Sequence, residues 1–259
     1  MSNAAAAVYA KARTRFGERI TPEQFVAMAS MGSVGEVADY LKSNTKFRPE
    51  LSEYSSSVWH RGNLEKMLKK HSLLDVYTLC SYEKSVGRHL FEFTMRQKEI
   101  DELITFMQYL SAGEAERYMI DVSYTFNRLS ELDLIKLGEI RSPGELLEFL
   151  KPTRYYKYIA ELITPDGYDI TEVELALDKA MYLDACSVIK EEYPSDEAEE
   201  LLSLISLKTE LMDLEMLFRL LRYYKDEGER LRPFLVGLPA LLRSDELKAL
   251  KNAEDAGEF

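Results

Sequence analysis

Three histidines (His60, His71, His89), two cysteines (Cys80, Cys186) and several runs of carboxylates are the side chains of this 259-residue sequence that could do acid–base, nucleophilic or metal chemistry. Their spacing builds no recognised device. No histidine belongs to a His-Glu-x-x-His pair, and no Glu-x-x-His supplies a di-iron bundle. No Gly-x-Ser-x-Gly turn is present to raise a serine nucleophile. The stretch MGSVGE at Met31–Glu36 lacks the lysine and the preceding strand that a phosphate loop requires. The sequence therefore predicts no catalytic residue, no cofactor and no metal site. It predicts no ATP hydrolysis by the isolated chain and no metal requirement for folding.

The same residues have structural readings. His71 and His89 read as surface or boundary histidines. Cys80 and Cys186 read as buried free thiols of a reducing cytosol. The acids Glu99, Asp101 and Glu102, and the run from Glu191 to Glu200, read as solvated helix faces or first turns. Tyr155/Tyr156 and Tyr223/Tyr224 read as half-buried packing, and Trp59 as structural.

The formal net charge is −12, with no basic run. Phosphate neutralisation dominates nucleic-acid affinity, so nucleic acid is excluded as a partner, and unaided docking on anionic lipid with it. No apolar run approaches the roughly 18–20 residues of a membrane span, and the N-terminus lacks the pattern of a signal peptide.

Helices position everything in this sequence. Strand alternation and Asn-Gly hairpin turns are missing. Leu207, Leu211, Leu214, Phe218 and Leu221 step by four, three, four and three, one helical stripe. Leu90, Phe93, Gln97, Ile100, Ile104 and Met107 follow a similar course. Two long helices, bending or breaking near Ser72 or Gly87, fit residues 63–110. Prolines 49, 152, 165 and 194 punctuate loops, and another break spans Asp226–Pro233. Capping-box spacing marks helix starts at Thr21/Gln24, Ser33/Glu36, Ser111/Glu114, Ser142/Glu145 and Thr171/Glu174. Asp255 with Glu258 gives a similar start, with Asp as the cap.

Two of these starts echo each other. SVGEVADYLK from Ser33 and SPGELLEFLK from Ser142 lie 109 residues apart, and DAGEF at Asp255–Phe259 opens the phrase again. A period this long repeats a subdomain rather than a hairpin or solenoid turn. The sequence predicts an all-α fold of tandem pseudo-symmetric modules: residues 1–116, residues 117–229, and an incomplete third from 230 to 259. The apolar positions Leu238, Leu241, Leu242, Leu247 and Leu250 of that third part lack their packing helices. It is expected to be mobile or packed on the second module, with self-association through the vacant flank.

Residues at both ends carry a family likeness. VYAKARTRF at Val8–Phe16 resembles the Tyr-Ala-x-Ala-Arg-x-Arg opening helix of the C/d family of rotary V-type ATPase subunits, with Tyr9, Arg13 and Arg15 in place. ADYLKSNTKF resembles the family's leucine-rich segment. Asp213, followed nine residues later by Arg222, resembles its long-helix motif Asp-x-x-Asn-(x)5-Arg, although Met216 stands at the Asn position. In the first copy Asp101 matches, while Ile104 and Leu110 replace the Asn and Arg. The resemblance covers almost the whole chain.

It implies a funnel of three pseudo-threefold modules seated on the membrane proteolipid ring, on the cytoplasmic side, peripheral and without a membrane span. The funnel's pocket would receive the central-stalk rotor subunits of D and F type. The chain would couple stalk to ring during proton or sodium transport and perform no bond chemistry. With the third module incomplete, affinity for the stalk is expected to be weaker than that of a three-module relative. The residues alone also allow a stand-alone helical adaptor that binds a partner helix in a groove, or a helical enzyme with a buried carboxylate site.

Overall fold

Three of the capped starts open helices as the spacing requires. A computed structural model of the chain describes residues 3–52, 60–80, 86–121, 127, 130–223, 228–238, 240–243, 245–246 and 249. Helix α1 (Asn3–Gly17) leads to α2 (Pro22–Ala29), where Thr21 and Gln24 form a reciprocal capping box. Helix α3 (Val34–Asn44) starts at Ser33, whose side chain accepts from the Glu36 N–H, and helix α9 (Pro143–Leu150) starts at Ser142, which accepts from the Glu145 N–H. In both repeated phrases the glutamate reaches back one residue further than a standard box. Glu36 accepts from the Gly32 N–H at 3.1 Å and Glu145 from the Arg141 N–H at 2.8 Å. Each such cap satisfies backbone donors that an open helix end leaves orphaned.

Two expected starts are corrected. Thr171 is already inside a helix, because Asp169, two residues earlier, accepts from the Glu172 N–H and caps it. Ser111 ends a helix instead of starting one. Gly113 adopts a left-handed φ of 71°, and the Glu114 N–H returns to the Tyr109 carbonyl at 2.9 Å while Gly113 N–H bonds Leu110. That is a Schellman stop, which glycine permits without a Cβ penalty. The Asp255/Glu258 start and Trp59 lie outside the described residues.

The remaining elements follow in order: α4 (Arg48–Leu51), α5 (Arg61–Cys80), α6 (Val86–Ser111), α7 (Ala115–Asp121) and α8 (Leu134–Leu137). After α9 come α10 (Tyr156–Ile159), α11 (Ile170–Glu192), α12 (Ser195–Tyr223), α13 (Gly228–Leu231) and a 3₁₀ turn at Arg232–Phe234. The chain is all-α, and its described residues hold no strand, only an isolated bridge between Thr164 and Gly167. Helix α5 runs unbroken through Ser72, and Gly87 lies in the first turn of α6.

Packing groups the chain into two compact units, Met1–Thr94 and Met95–Phe259. In the first, Ala38, Leu41, Leu51 and Leu64 form a core from α3, α4 and α5, flanked by Phe47 and Met67. In the second, Leu103, Phe106 and Met107 of α6 are buried, as are Leu146 and Leu150 of α9, Val173 and Leu177 of α11 and Leu217 of α12. The antiparallel pair α11–α12 turns at Pro194. Arg230 of α13 bonds Asp169 at 2.9 Å and Glu172 at 3.0 Å, tying α13 to the start of α11.

Candidate functional site

Buried carboxylates, not histidines or thiols, are the chemically distinctive groups of this fold. Glu210 and Asp213 lie three residues apart on α12, so one helical face carries both, and both are buried. Asp213 accepts from the Val236 N–H at 2.9 Å and the Gly237 N–H at 2.6 Å. Glu210 accepts from Ala240 at 2.8 Å, Leu241 at 2.7 Å and Leu242 at 3.1 Å. Five backbone donors of one strap, at residues 236, 237 and 240–242, thus close on two side chains. The strap turns over the carboxylates at Gly237, whose φ of 78° suits glycine. Burial alone would push the Glu210 carboxyl up, but the three N–H donors outweigh it and hold it below the usual range.

A second cradle sits on α6. Glu99 is 1% exposed. It accepts from the Ser130 hydroxyl at 2.8 Å, the Glu131 N–H and the Tyr155 hydroxyl. Burial, and then the adjacent Glu99 charge, push the Tyr155 phenol up beyond its ordinary range. The solvated face expected for Glu99, Asp101 and Glu102 is therefore corrected at its first member. Asp101 does face solvent, bonded to Lys98 at 2.8 Å, and Glu102 accepts from the Tyr118 hydroxyl at 3.2 Å. The run from Glu191 to Glu200 keeps its acids exposed, as expected.

A cavity of about 350 Å³ lies between α11 and α12, lined by Leu175, Met212, Met216 and Phe234 with Glu174, Asp178 and Asp213. Burial, the Glu174 charge and the Asp101 charge push the Asp178 carboxyl up to about 6. Among the described residues no group of three or more His, Cys, Asp or Glu side chains is arranged to hold a metal ion.

The motif residues of the opening helix go to different work. Tyr9 is exposed, and Arg13 donates to its hydroxyl at 3.2 Å. Arg15 turns inward to Asp75 at 3.0 Å. Lys46 reaches the same carboxylate at 2.7 Å and His71 Nε2 lies 3.4 Å from it. His71 is buried, edge-on to the Phe47 ring, which corrects its surface reading. His60 is exposed and His89 half-buried. Cys80 and Cys186 are buried free thiols, and burial raises both. Arg222 lies exposed over the rings of Phe218 and Tyr223 on its own helix. Nine residues of helix put it about 13 Å along the axis from Asp213, so this pair forms no direct bridge.

Glu99 and Glu210 escaped the sequence reading. One signal pointed to them: Glu99-x-x-Glu102 and Glu210-x-x-Asp213 repeat an acidic i, i+3 pair 111 residues apart. A family model described as the ATP synthase (C/AC39) subunit matches residues 8–259. The chain belongs to this C/AC39 family. It is thus a subunit of the V-type rotary ATPase, and the C/AC39 subunit is a non-catalytic one. No curated protein matches the chain. No helix among the described residues of this C/AC39 subunit is long and apolar enough to cross a membrane.

Proposed function

We propose that this C/AC39 subunit is the mechanical coupling of its rotary complex. It joins the D- and F-type subunits of the central stalk to the proteolipid ring while protons or sodium ions cross that ring. It works on the cytoplasmic side, peripheral to the membrane, and makes or breaks no bonds itself. The family match across residues 8–259 carries this reading. The two cradles support it physically. A torque-bearing part needs joints that resist shear, and buried charge-assisted hydrogen bonds are stronger and more directional than apolar contact.

In this reading residues 1–116 and 117–229 are successive modules, and the strap at Val236–Leu242 opens the next. Glu99 and Glu210 lock each module to the segment that follows. Tyr9, Arg13 and Arg222 are exposed and serve as contact residues, whereas Arg15 and Asp213 are internal ties. Asp101 is an exposed residue of the first long helix and takes no part in a cradle. The test is a pull-down with purified D- and F-type stalk subunits. Retention of the stalk pair is expected, with loss of retention when Arg13 and Arg222 are both changed to Glu. A chain that retains no stalk subunit would be a stand-alone helical adaptor instead.

A further inference from the structure

The leucine stripe of α12 is only half used by the fold. Leu221 is buried, and Leu207 and Leu214 are half-buried. Leu204 is 64% exposed, Leu211 53% and Phe218 37%, and these three stand seven residues apart. Sevenfold spacing with apolar residues between is the seam of a helix pair. Helix α6 shows what such a seam does when filled. Ile100 and Met107, also seven apart, are buried, and Leu177, Ala180 and Met181 of α11 line one narrow cleft with Ile100.

Charge along α12 selects the occupant. Its first turns carry exposed Asp196, Glu197, Glu199 and Glu200, and its last turns carry exposed Arg219 and Arg222. Flanking Leu211, Lys208 lies three residues before and Glu215 four residues after. A parallel copy would set acid on acid and base on base. An inverted copy sets the acidic start against the basic end and Lys208 against Glu215 twice. It also opposes the two helix dipoles favourably. Antiparallel seams pair flanking positions in this manner, and the seam is short, about four turns.

We propose that α12 is a self-association surface, and that two copies of the chain pair antiparallel through Leu204, Leu211 and Phe218 with reciprocal Lys208–Glu215 contacts. The pairing does not depend on the rotary reading. It is weak and reversible, since a single seam of about four turns falls below the area of a stable interface.

The experiment is sedimentation velocity on the full chain from about 5 to about 500 µM, a range that brackets weak dimers. A mass that rises from one chain to two is expected. Leu211→Glu, at an exposed site, should raise the dissociation constant at least about tenfold while circular dichroism stays unchanged. Leu204→Ser provides a milder second variant at the seam's end, with a smaller rise. Lys208→Glu and Glu215→Lys should each weaken association several-fold, and the double swap should restore it. Each single variant disrupts one internal contact, Lys208 over the Tyr182 ring or Glu215 with Arg219, and the double swap disrupts both. Recovery in the double swap therefore reads the contact between copies. A constant single-chain mass across the range would overturn the proposal. So would indifference to Leu211→Glu, or a double swap no better than its parents.

Discussion

Helices α6 and α12 each turn a glutamate inward to hold a later segment, yet they recruit different donors. Glu99 gathers two hydroxyls, from Ser130 and Tyr155, and one backbone N–H. Glu210 and Asp213 take five backbone N–H groups from the described residues of the strap. The first cradle ties together three segments, with Tyr155 entering 56 residues downstream. Tyr155 is itself buried, so its bond to Glu99 is closed to water. The second grips a single strap whose Ala240 and Leu241 face solvent. Side-chain donors thus make a global tie, and backbone donors make a local one. The difference matters because a donor left buried without an acceptor costs its full desolvation, whereas one near the surface finds water.

The largest effect should come from emptying the first cradle. Glu99→Ala strands the donors of Ser130, Glu131 and Tyr155, and a loss of about 3 kcal/mol is expected. For a chain of this size that lowers Tm by roughly 6–12 °C. Tyr155→Phe removes one donor and leaves Glu99 with two, so about 1–2 kcal/mol should go. Urea titration reads both. A Glu99→Ala variant no less stable than Glu210→Ala would break the comparison, since the sealed cradle would then carry no more than the open one.

The second cradle should fail locally. Glu210→Gln and Asp213→Asn each exchange a carboxylate that only accepts for an amide that also presents donors to N–H groups. About 1–2 kcal/mol of strap anchoring is expected to go. Amide exchange at residues 236–242 should accelerate about tenfold, with the helices of the second unit unchanged. Uniform acceleration across the chain would show that this cradle is also a global tie.

Local rules made the helices legible. A serine, threonine or aspartate three residues before a glutamate or glutamine names a helix start, because the cap is satisfied within one turn. That logic located α2, α3 and α9. It misplaced the start of α11 because Asp169 competes two residues earlier. It missed the end of α6 because Gly113 offered a left-handed stop. The cradles were beyond such rules. Glu99 and Asp101 are two acids in one run, and their surroundings in the sequence do not differ. Their fates are decided by Ser130, Glu131 and Tyr155, which no spacing rule connects to them. Arg15 likewise finds Asp75 sixty residues away. The leucine stripe was visible as a stripe, but period alone does not say which part of it the fold covers.

Acid separates the half-buried carboxylate of α11 from the buried one of α12. The Glu210 carboxyl is held below its ordinary value, so its contribution is present above about pH 4.5 and is lost as pH falls through the folded value. Strap protection should therefore fade on acidification below that point. Asp178 has the opposite sign. Its carboxyl is raised to about 6 from 3.8, so its ionisation destabilises the fold progressively across that interval and fully above it. Asp178→Asn should stabilise the protein at pH 7 by about 1–2 kcal/mol, less than the full shift because water screens the half-buried group, with most of the gain gone near pH 4. Urea midpoints at the two pH values check this. A variant equally stabilised at both would place the effect in packing instead of charge.

The smallest expected effect concerns Asp101, the acid whose position in the family motif matches Asp213 but whose surroundings do not. It is exposed and bonded to Lys98 at 2.8 Å, a surface pair of the kind worth about 0–1 kcal/mol. Its charge also presses on Glu174 and Asp178 and helps to raise both. Asp101→Asn removes a small stabilising pair and a small repulsion together. The net change in stability should stay within about 0.5 kcal/mol. The carboxyl carbon resonances of Glu174 and Asp178, followed by NMR across pH, should nevertheless titrate lower than in the parent chain. A large loss of stability, on the scale of Glu99→Ala, would mean that Asp101 anchors a segment as Asp213 does. In that case the two long helices would be equivalent at the motif aspartate, and the contrast drawn between their cradles would fall.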